Sequence, residues 1–354
     1  MTFQQILNRI HLNLRAAKLA LTGRWLTPGD VAVSYDALAA TYQANWLTHL
    51  CRTTDRLHEQ LPVCASPTMH IIDLGCGTGY STAFLAQKYP TANITAVDIS
   101  GEMINQAKAT LANPVTAGNG AQRSDRIITP NNPVTPFVSL TASPAAVSVP
   151  NVQFVQGDML RFLESQPGQS CDLMFSAWAI GYSVPAKIVA EAHRVLRPGG
   201  TLAVIVNRLG TMPAVFAAFR MTMRAFPASL EKAMWPRFPR NVGEIESYLN
   251  RHAFKVQLLE DDIVPIEPPE PGQRLNWLLG TGVLAGFDSV LPIQPRRPED
   301  GNNNTANDMR QFFERELNFA TSGWEHHYVM FIATLAASPC DAHVPHDKMK
   351  REKP

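Results

Sequence analysis

The sequence lacks the features that mark membrane-spanning and nucleic-acid-binding proteins. Its 354 residues contain no apolar run near the roughly 18 residues that a helix needs to span a bilayer. Lys and Arg number 31 against 30 Asp and Glu, so the net charge of +1 leaves no basic excess for nucleic-acid binding. We therefore expect neither a transmembrane helix nor a nucleic-acid partner.

Cysteine is scarce and follows no pattern. The five cysteines are Cys51, Cys64, Cys76, Cys171 and Cys340. They show no CxxC spacing, so the sequence predicts no metal site. An odd and unpatterned set is typical of a reducing compartment, and we expect a cytoplasmic protein.

The first 29 residues contain no acidic side chain, because Asp30 is the first acid of the chain. Apolar residues recur there at helical spacing: Phe3, Leu7, Ile10, Leu14, Ala17 and Leu21. We predict an amphipathic helix, for which three interpretations stay open. It packs on the domain, lies peripherally on a membrane surface, or serves as an organellar transit peptide.

Strand and helix patterns alternate from about residue 69 onward. The predicted strands are HIIDL, NITAVDI, VQFVQGD, CDLMFSAWA, TLAVIVN and, near the end, YVMFIATLA. The predicted helices are residues 81–89, GEMINQAKATL and PAKIVAEAHRVL, the last ending at Arg197-Pro198-Gly199-Gly200. Such alternation is typical of an α/β fold, with a parallel sheet and helices on both faces.

Two stretches interrupt this alternation. Residues 113–150 are rich in Pro, Asn, Ser and Thr and lie where a loop usually takes about 2–6 residues. Residues 292–308 have a similar composition. We predict flexible insertions at both places, peripheral to the chemistry.

Three glycines at alternate positions follow the first predicted strand. They are Gly75, Gly77 and Gly79. Tyr80 stands where the dinucleotide-binding fingerprint G-x-G-x-x-G has its third glycine, which disfavours a pyrophosphate ligand. Acids end the next two strands: Asp98 could accept from both ribose hydroxyls, and Asp158 from an adenine amino group. Either acid could instead cap a helix, but their order and spacing favour a ligand.

With these motifs the chain resembles the class I S-adenosylmethionine-dependent methyltransferases, in particular their small-molecule branch. The resemblance covers residues 69–207 through DLGCGTG, GDM and EAHRVLRPGGTL, and SYDALAATYQANW upstream is similar to the family's N-terminal helix. It implies a Rossmann-like, seven-stranded and mostly parallel sheet with a C-terminal helical cap insertion. S-adenosylmethionine would be the cofactor.

The resemblance also implies roles for individual residues in cofactor binding. The glycines would let the backbone approach the methionine moiety, Asp73 would support their loop, and Asp98 would hold the ribose. The remaining implied contacts are Ile99, Asp158 and Met159 at the adenine, Ser176 and Ala177 near the sulfonium, and Tyr35 and Tyr42 as lid residues.

The predicted domain organisation follows from these assignments. Residues 1–29 form the amphipathic helix, and residues 30–208 the cofactor-binding core. Residues 209–337 form a substrate cap with the last strands, and residues 338–354 a polar tail. The cap contains an aromatic and basic stretch at residues 209–240, either an ordinary helix pair or a lid over a hydrophobic or anionic acceptor.

Candidate catalytic residues lie near the ends of two predicted strands. His326 and His327 precede the last strand, where a histidine could act as general base or simply be exposed at the strand start. Trp178 and Tyr182 follow the fourth strand and are pocket candidates, with Tyr182 also a candidate catalytic residue.

The predicted function is methyl transfer to a small, hydrophobic acceptor. Two alternatives stay open: an NAD-dependent oxidoreductase, disfavoured by Tyr80 and Asp158, and a non-catalytic cofactor-binding scaffold of the same fold. Nucleic-acid methylation is disfavoured, because SAWA occupies the place of the Asn/Asp-Pro-Pro-aromatic motif of amino-methylating enzymes.

Overall fold

A computed structural model describes residues 3–63, 68–112, 151–234, 237–293 and 303–336. The predicted insertion at 113–150 and the polar tail at 338–354 lie outside these residues. Within them, no helix combines the length and the apolar character that crossing a membrane requires.

The core is a single seven-stranded sheet. Its strands are β1 (His70–Leu74), β2 (Asn93–Asp98), β3 (Val152–Gln156), β4 (Cys171–Ala177), β5 (Leu196–Asn207), β6 (Phe254–Pro265) and β7 (Glu325–Leu335). The strand order is β3-β2-β1-β4-β5-β7-β6, and only β7 runs antiparallel to its two neighbours. The predicted Rossmann-like fold is confirmed.

Helices pack around the sheet, and further helices lie before β1 and between β6 and β7 in the chain. They are α1 (Phe3–Leu21), α2 (Pro28–Tyr42), α3 (Thr48–Glu59), α4 (Tyr80–Lys88), α5 (Gly101–Ala112), α6 (Met159–Ser165), α7 (Pro185–Val195), α8 (Pro213–Ala225), α9 (Val242–Arg251), α10 (Arg274–Leu279) and α11 (Asn303–Phe319). A π-helical turn, Gln43–Leu47, joins α2 to α3.

Buried apolar residues alternate along the strands and build a core on each face of the sheet. Ile72, Leu74 and Met174 pack on the face covered by α7 and α9. Ile71 and Phe175 pack on the opposite face, with side chains of α3 and α4. The alternation explains why the strands read as continuous apolar runs: the sheet is buried on both faces.

A third apolar cluster contains the helices that the Rossmann core does not need. Residues of α8, α10 and α11 pack there with Leu19 of α1, Trp46 of the π-helical turn and Leu50 of α3. Helices α8, α10 and α11 lie within the residues predicted as a substrate cap, and that role stays a prediction. Within the described part of residues 209–240, α8 is the only α-helix, so the interpretation of this stretch as a helix pair is wrong.

Three further local expectations differ from the structure. The Pro-Gly-Gly turn lies inside β5, where the register with β4 shifts between Cys171 and Leu173. Helix α11 begins at Asn303, inside the loop predicted at 292–308. β7 begins at Glu325, because β6 pairs with it from Glu325 onward, so His326 and His327 lie in the strand and not before it.

Candidate functional site

A cavity opens at the carboxyl ends of β1, β2 and β4. It encloses about 700 Å³ with its open mouth included. The strand order reverses between β1 and β4, and this is where open α/β sheets bind ligands. Of the predicted cofactor and lid residues, those that line the cavity are Tyr35, Tyr42, Gly75, Gly77, Asp98, Ile99, Asp158, Met159 and Ala177.

The three glycines of the β1–α4 loop are needed for different reasons. All three have positive φ angles, 71° at Gly75, 53° at Gly77 and 85° at Gly79. A Cβ on Gly75 would meet the Cβ of Ala179 at 2.2 Å, and one on Gly79 would meet Ala107 at 2.9 Å. A Cβ on Gly77 would have no protein atom within 4 Å. Of the three, Gly77 is thus the glycine that both lines the cavity and faces open space.

Asp98 joins two loops at the floor of the cavity. Its carboxylate accepts the backbone N–H of Gly77 at 2.8 Å through Oδ2 and that of Ser100 at 2.9 Å through Oδ1. Burial raises the pKa of Asp98, and these backbone donors oppose the rise. The two bonds hold the carboxylate in one orientation while the residue borders the cavity.

Asp158 begins α6 at the neighbouring wall. Its Oδ1 accepts the backbone N–H groups of Leu160 at 3.1 Å and Arg161 at 2.9 Å, which caps the helix. The residue also lines the cavity, beside Met159. The capping and the ligand-facing interpretations of this aspartate are therefore compatible.

Two predicted residues lie behind the cavity wall. Asp73 accepts the hydroxyl hydrogen of Thr82 at 2.6 Å, which ties β1 to α4, and burial raises its pKa to about 7. Ser176 donates its hydroxyl to the carbonyl of Leu74 at 2.7 Å. Both side chains hold the strands and helix that carry the loop, and neither borders the cavity as Asp98 does.

Three tyrosines form the opposite wall. The Tyr35 hydroxyl donates to that of Tyr182 at 2.9 Å, which donates to the Gly282 carbonyl at 3.0 Å. Tyr42 packs edge-on against Tyr35. Burial raises the pKa of Tyr182 to about 12, so its phenol stays protonated at neutral pH and is a hydrogen-bond donor there.

A second cavity adjoins this wall, with about 390 Å³ of space between atoms when its opening to solvent is included. Tyr35, Tyr42, Trp178 and Tyr182 border both spaces. The other residues around the second cavity are Trp46, Leu50, Asn207, Thr211, Met212, Phe216, Phe238, Gly282, Val283 and His326. None of these described residues is Lys, Arg, Asp or Glu, so the cavity has no formal charge when its histidine is neutral.

The two candidate histidines lie on opposite faces of β7. Successive side chains of a strand point to opposite faces, and His326 lines the second cavity whereas His327 is on the other side. His326 packs against Trp46 and Trp178, with ring centroids 5.1 and 5.7 Å away. Burial, followed by the nearby His49 and His327, lowers the pKa of His326 to about 3.

The hydrogen-bond partners of His326 come from the end of β5 and the loop after it. Its Nδ1 lies 2.9 Å from Oδ1 of Asn207 and 2.9 Å from Oγ1 of Thr211. We missed both residues in the sequence. Asn207 ends a predicted strand, as Asp98 does, and that position was the available signal.

Comparison with known proteins agrees with the geometry. A family model described as a methyltransferase domain matches residues 72–204, which span β1 to β5. Residues 72–204 carry a methyltransferase domain of the S-adenosylmethionine-dependent class that the sequence motifs resemble. S-adenosylmethionine is the cofactor of this domain, as the glycine and aspartate motifs predict.

Curated relatives of this chain are methyltransferases named for different acceptors. A trans-aconitate 2-methyltransferase of Azoarcus sp. (strain BH72) is 26% identical over 231 residues, 62% of this chain and 70% of the relative. A malonyl-[acyl-carrier protein] O-methyltransferase of Dechloromonas aromatica (strain RCB) is 32% identical over 191 residues, 53% of this chain and 50% of the relative. The chain spans 42% of a further trans-aconitate 2-methyltransferase, from Paracidovorax citrulli.

Solved methyltransferase structures resemble the chain only distantly. The putative methyltransferase of Haloferax volcanii, in complex with its activator Trm112, has a TM-score of 0.46 at 17% identity, covering 89% of this chain and 100% of that one. A putative sarcosine dimethylglycine methyltransferase from Galdieria sulphuraria has a TM-score of 0.41 at 15% identity, covering 81% and 86%.

Proposed function

We propose that this protein transfers a methyl group from S-adenosylmethionine to a small, uncharged and mainly hydrophobic acceptor. The observation that carries the proposal is the pair of contiguous cavities. One lies over the glycine loop and Asp98, and the other is aromatic and uncharged. Tyr35, Tyr42, Trp178 and Tyr182 border both, so ligands in the two spaces would meet at this wall.

The residues around the first cavity fit S-adenosylmethionine. The carboxylate of Asp98 is held by two backbone donors and would accept the ribose hydroxyls with its remaining lone pairs. The open backbone at Gly77 leaves room for the methionine moiety. Ile99, Met159 and Oδ2 of Asp158 would contact the adenine, and Ala177 lies toward the sulfonium in this assignment.

The cofactor supplies an already activated methyl group on a sulfonium. The protein must therefore mainly align the acceptor and keep water out, and good alignment alone is worth roughly 7–11 kcal/mol. The buried tyrosine wall suits both tasks, since Tyr35 and Tyr182 fix each other by a hydrogen bond. A base is needed only when the acceptor atom carries a proton.

The acceptor that we propose for this chain is uncharged, unlike the acceptors that appear in the names of its relatives. Trans-aconitate and malonyl groups carry carboxylates, which proteins usually bind with Arg or Lys. The described residues around the second cavity include neither. We therefore favour an uncharged acceptor over a carboxylate.

We also propose that α1 contacts a membrane peripherally. Leu12, Ala16 and Leu19 face the protein, whereas the predicted apolar stripe is exposed. The most exposed of its residues are Phe3 at 76%, Leu14 at 66% and Leu21 at 88%. A helix with an exposed apolar stripe, basic residues and no acid suits an anionic lipid surface better than a second, equally basic copy of itself.

Two measurements test the enzymatic proposal. Calorimetry should detect binding of S-adenosylmethionine and none of NAD, which would separate a methyltransferase from an oxidoreductase. Purified protein with labelled cofactor should then transfer label to a component of a lipid and metabolite extract, identified by mass. Cofactor binding without transfer to any component would favour the non-catalytic scaffold.

A further inference from the structure

We propose that Nε2 of His326 is the atom that binds the acceptor, and that the acceptor is an uncharged, largely apolar molecule bearing a hydroxyl, such as a phenol. This inference rests on the proposed function and adds the substrate class. In this inference, the reacting hydroxyl group needs one direct polar contact from the protein, a hydrogen bond to this buried nitrogen.

The first support is a hydrogen-bonding group without a partner. His326 is 4% exposed, and its Nε2 is buried with no hydrogen-bond partner among the described residues. Buried polar atoms are nearly always paired, so an unpaired one at a cavity points to a ligand. Nδ1 of His58 and Nδ1 of His327 are also unpaired, but neither residue lines the second cavity.

The second support is the tautomer. Oδ1 of Asn207 can only accept a hydrogen bond, so the Nδ1 that lies 2.9 Å from it carries the proton. Nε2 of the neutral ring is then a lone-pair acceptor. The ligand that completes the site must therefore donate a hydrogen bond, which a hydroxyl can do and a carbonyl or an ether cannot.

The third support is the shape and polarity of the surroundings. The indole rings of Trp46 and Trp178 flank the imidazole, and the described walls of the cavity are otherwise largely apolar or aromatic. Planar apolar ligands gain contact area and aromatic stacking in such a site. A hydroxylated aromatic satisfies both the walls and Nε2.

The arrangement also accounts for the proton of the acceptor. As the acceptor oxygen bonds to the methyl carbon, the carbon–sulfur bond breaks with its electron pair going to sulfur, and the hydroxyl proton moves to Nε2. The positive charge leaves the sulfonium as it appears on the imidazole of His326, so the buried site gains no net charge. Burial makes it costly to add a charge to this site, but moving a charge that is already present from the sulfonium to the imidazole costs far less.

A binding experiment separates this inference from catalysis. With S-adenosylhomocysteine present, the fluorescence of the cavity tryptophans reports binding of 4-butylphenol and of butylbenzene, which differ by one hydroxyl. The wild type should bind the phenol at least tenfold more tightly. His326→Phe should lose this preference, and His327→Phe, its matched neighbour on the other face of β7, should keep it.

A second measurement needs no substitution and so does not depend on the folding of a variant. In ¹⁵N spectra, His326 should show a protonated Nδ1 and an unprotonated Nε2, and the Nε2 signal should move when 4-butylphenol is added. An unmoved Nε2 signal, no phenol preference in the wild type, or a preserved preference in folded His326→Phe would overturn the inference. Failure of the proposed function is recognised separately, because it would appear as no binding of S-adenosylmethionine or no methyl transfer.

Discussion

The Cβ that Gly75 lacks would lie 2.2 Å from the Cβ of Ala179. Gly75 follows β1 and Ala179 follows β4, and these two strands are adjacent and parallel. The loops after them pack so closely that a Cβ at position 75 has no room. Both residues border the proposed cofactor cavity. The glycine is thus required by the protein's own packing as well as by its positive φ.

Gly75→Ala should destabilise the protein by more than an ordinary loop substitution does. Overpacking costs typically about 1–3 kcal/mol, and a left-handed alanine about 1–2 kcal/mol more. Urea denaturation should show this loss, and Gly77→Ala should show the backbone part alone because its Cβ meets no protein atom.

The double variant Gly75→Ala/Ala179→Gly tests the contact itself. Removing the Ala179 methyl should recover the stability lost to overpacking, whereas the stability lost to the left-handed backbone of the alanine should not return. If the double variant is no more stable than Gly75→Ala, the contact between these loops does not limit the position.

How far the sequence predicts this fold depends on how each element is buried. β1 was predicted with its bounds, because HIIDL is a short apolar run directly before glycines. β6 was missed, because Phe254 is the only buried residue of FKVQLLEDDIVP and the strand lies at the sheet edge. β6 buries too little of its length for an apolar pattern to stand out in the sequence.

The site was predictable where a motif sets the local geometry and not where distant segments meet. Asp98 was placed at the cavity by the strand-end rule alone. Which of His326 and His327 faces the cavity depends on the start and the register of β7, which the sequence does not reveal. The partner of Gly75, likewise, is known only once β1 and β4 are paired.

Asp98→Ala should weaken binding of S-adenosylmethionine at least about tenfold. Charge-assisted hydrogen bonds contribute roughly 1.5–3 kcal/mol each, and about 1.4 kcal/mol is a factor of ten. Calorimetry measures the change, and Asp98→Asn should give an intermediate affinity because it keeps the shape without the charge.

The same carboxylate also anchors the N–H groups of Gly77 and Ser100, so loop loosening must be separated from a lost ribose contact. The 2′,3′-dideoxy analogue of S-adenosylhomocysteine provides that control. The wild type should discriminate against it, and Asp98→Ala should discriminate much less. Equal discrimination in both proteins would show that the ribose does not contact Asp98.

Replacing Leu7 and Leu14 by Gln in α1 should reduce binding to anionic vesicles. The exposed fractions of these two side chains are 42% and 66%, so neither supports the folded core. Burying a leucine contributes roughly 1.5–3 kcal/mol, and the double variant should lose at least about tenfold in vesicle affinity. Co-sedimentation with phosphatidylserine-containing vesicles checks this.

Val33→Gln is the matched control, because Val33 is 69% exposed but lies on α2. Its vesicle binding should equal that of the wild type. High salt should weaken binding of the wild type, since the basic side chains contribute through screened attraction. If the variant with Gln at positions 7 and 14 instead binds vesicles as the wild type does, and differs only in its molar mass measured by light scattering without lipid, the apolar stripe joins two copies of the chain.

The buried His326 should make the folded state less stable as the pH falls. Its pKa is about 3 in the folded protein, against an ordinary value of about 6.5, so the unfolded chain binds the extra proton first. Its contribution is fully present above pH 6.5 and is lost as the pH falls toward 3. At 1.36 kcal/mol per pH unit, about 2 kcal/mol should disappear between pH 6.5 and pH 5.

Urea denaturation at pH 7, 6 and 5 measures this loss, and the comparison between variants isolates it. Asp73, whose pKa burial raises to about 7, acts with the opposite sign, and His49, whose pKa burial lowers, acts with the same sign. His326→Phe should flatten the dependence relative to the wild type, whereas His327→Phe, which removes only the smallest of the three influences on the pKa of His326, should keep most of it. An unchanged dependence in His326→Phe would mean that this imidazole is not held neutral by its surroundings, and the acceptor-binding lone pair would lose its physical basis.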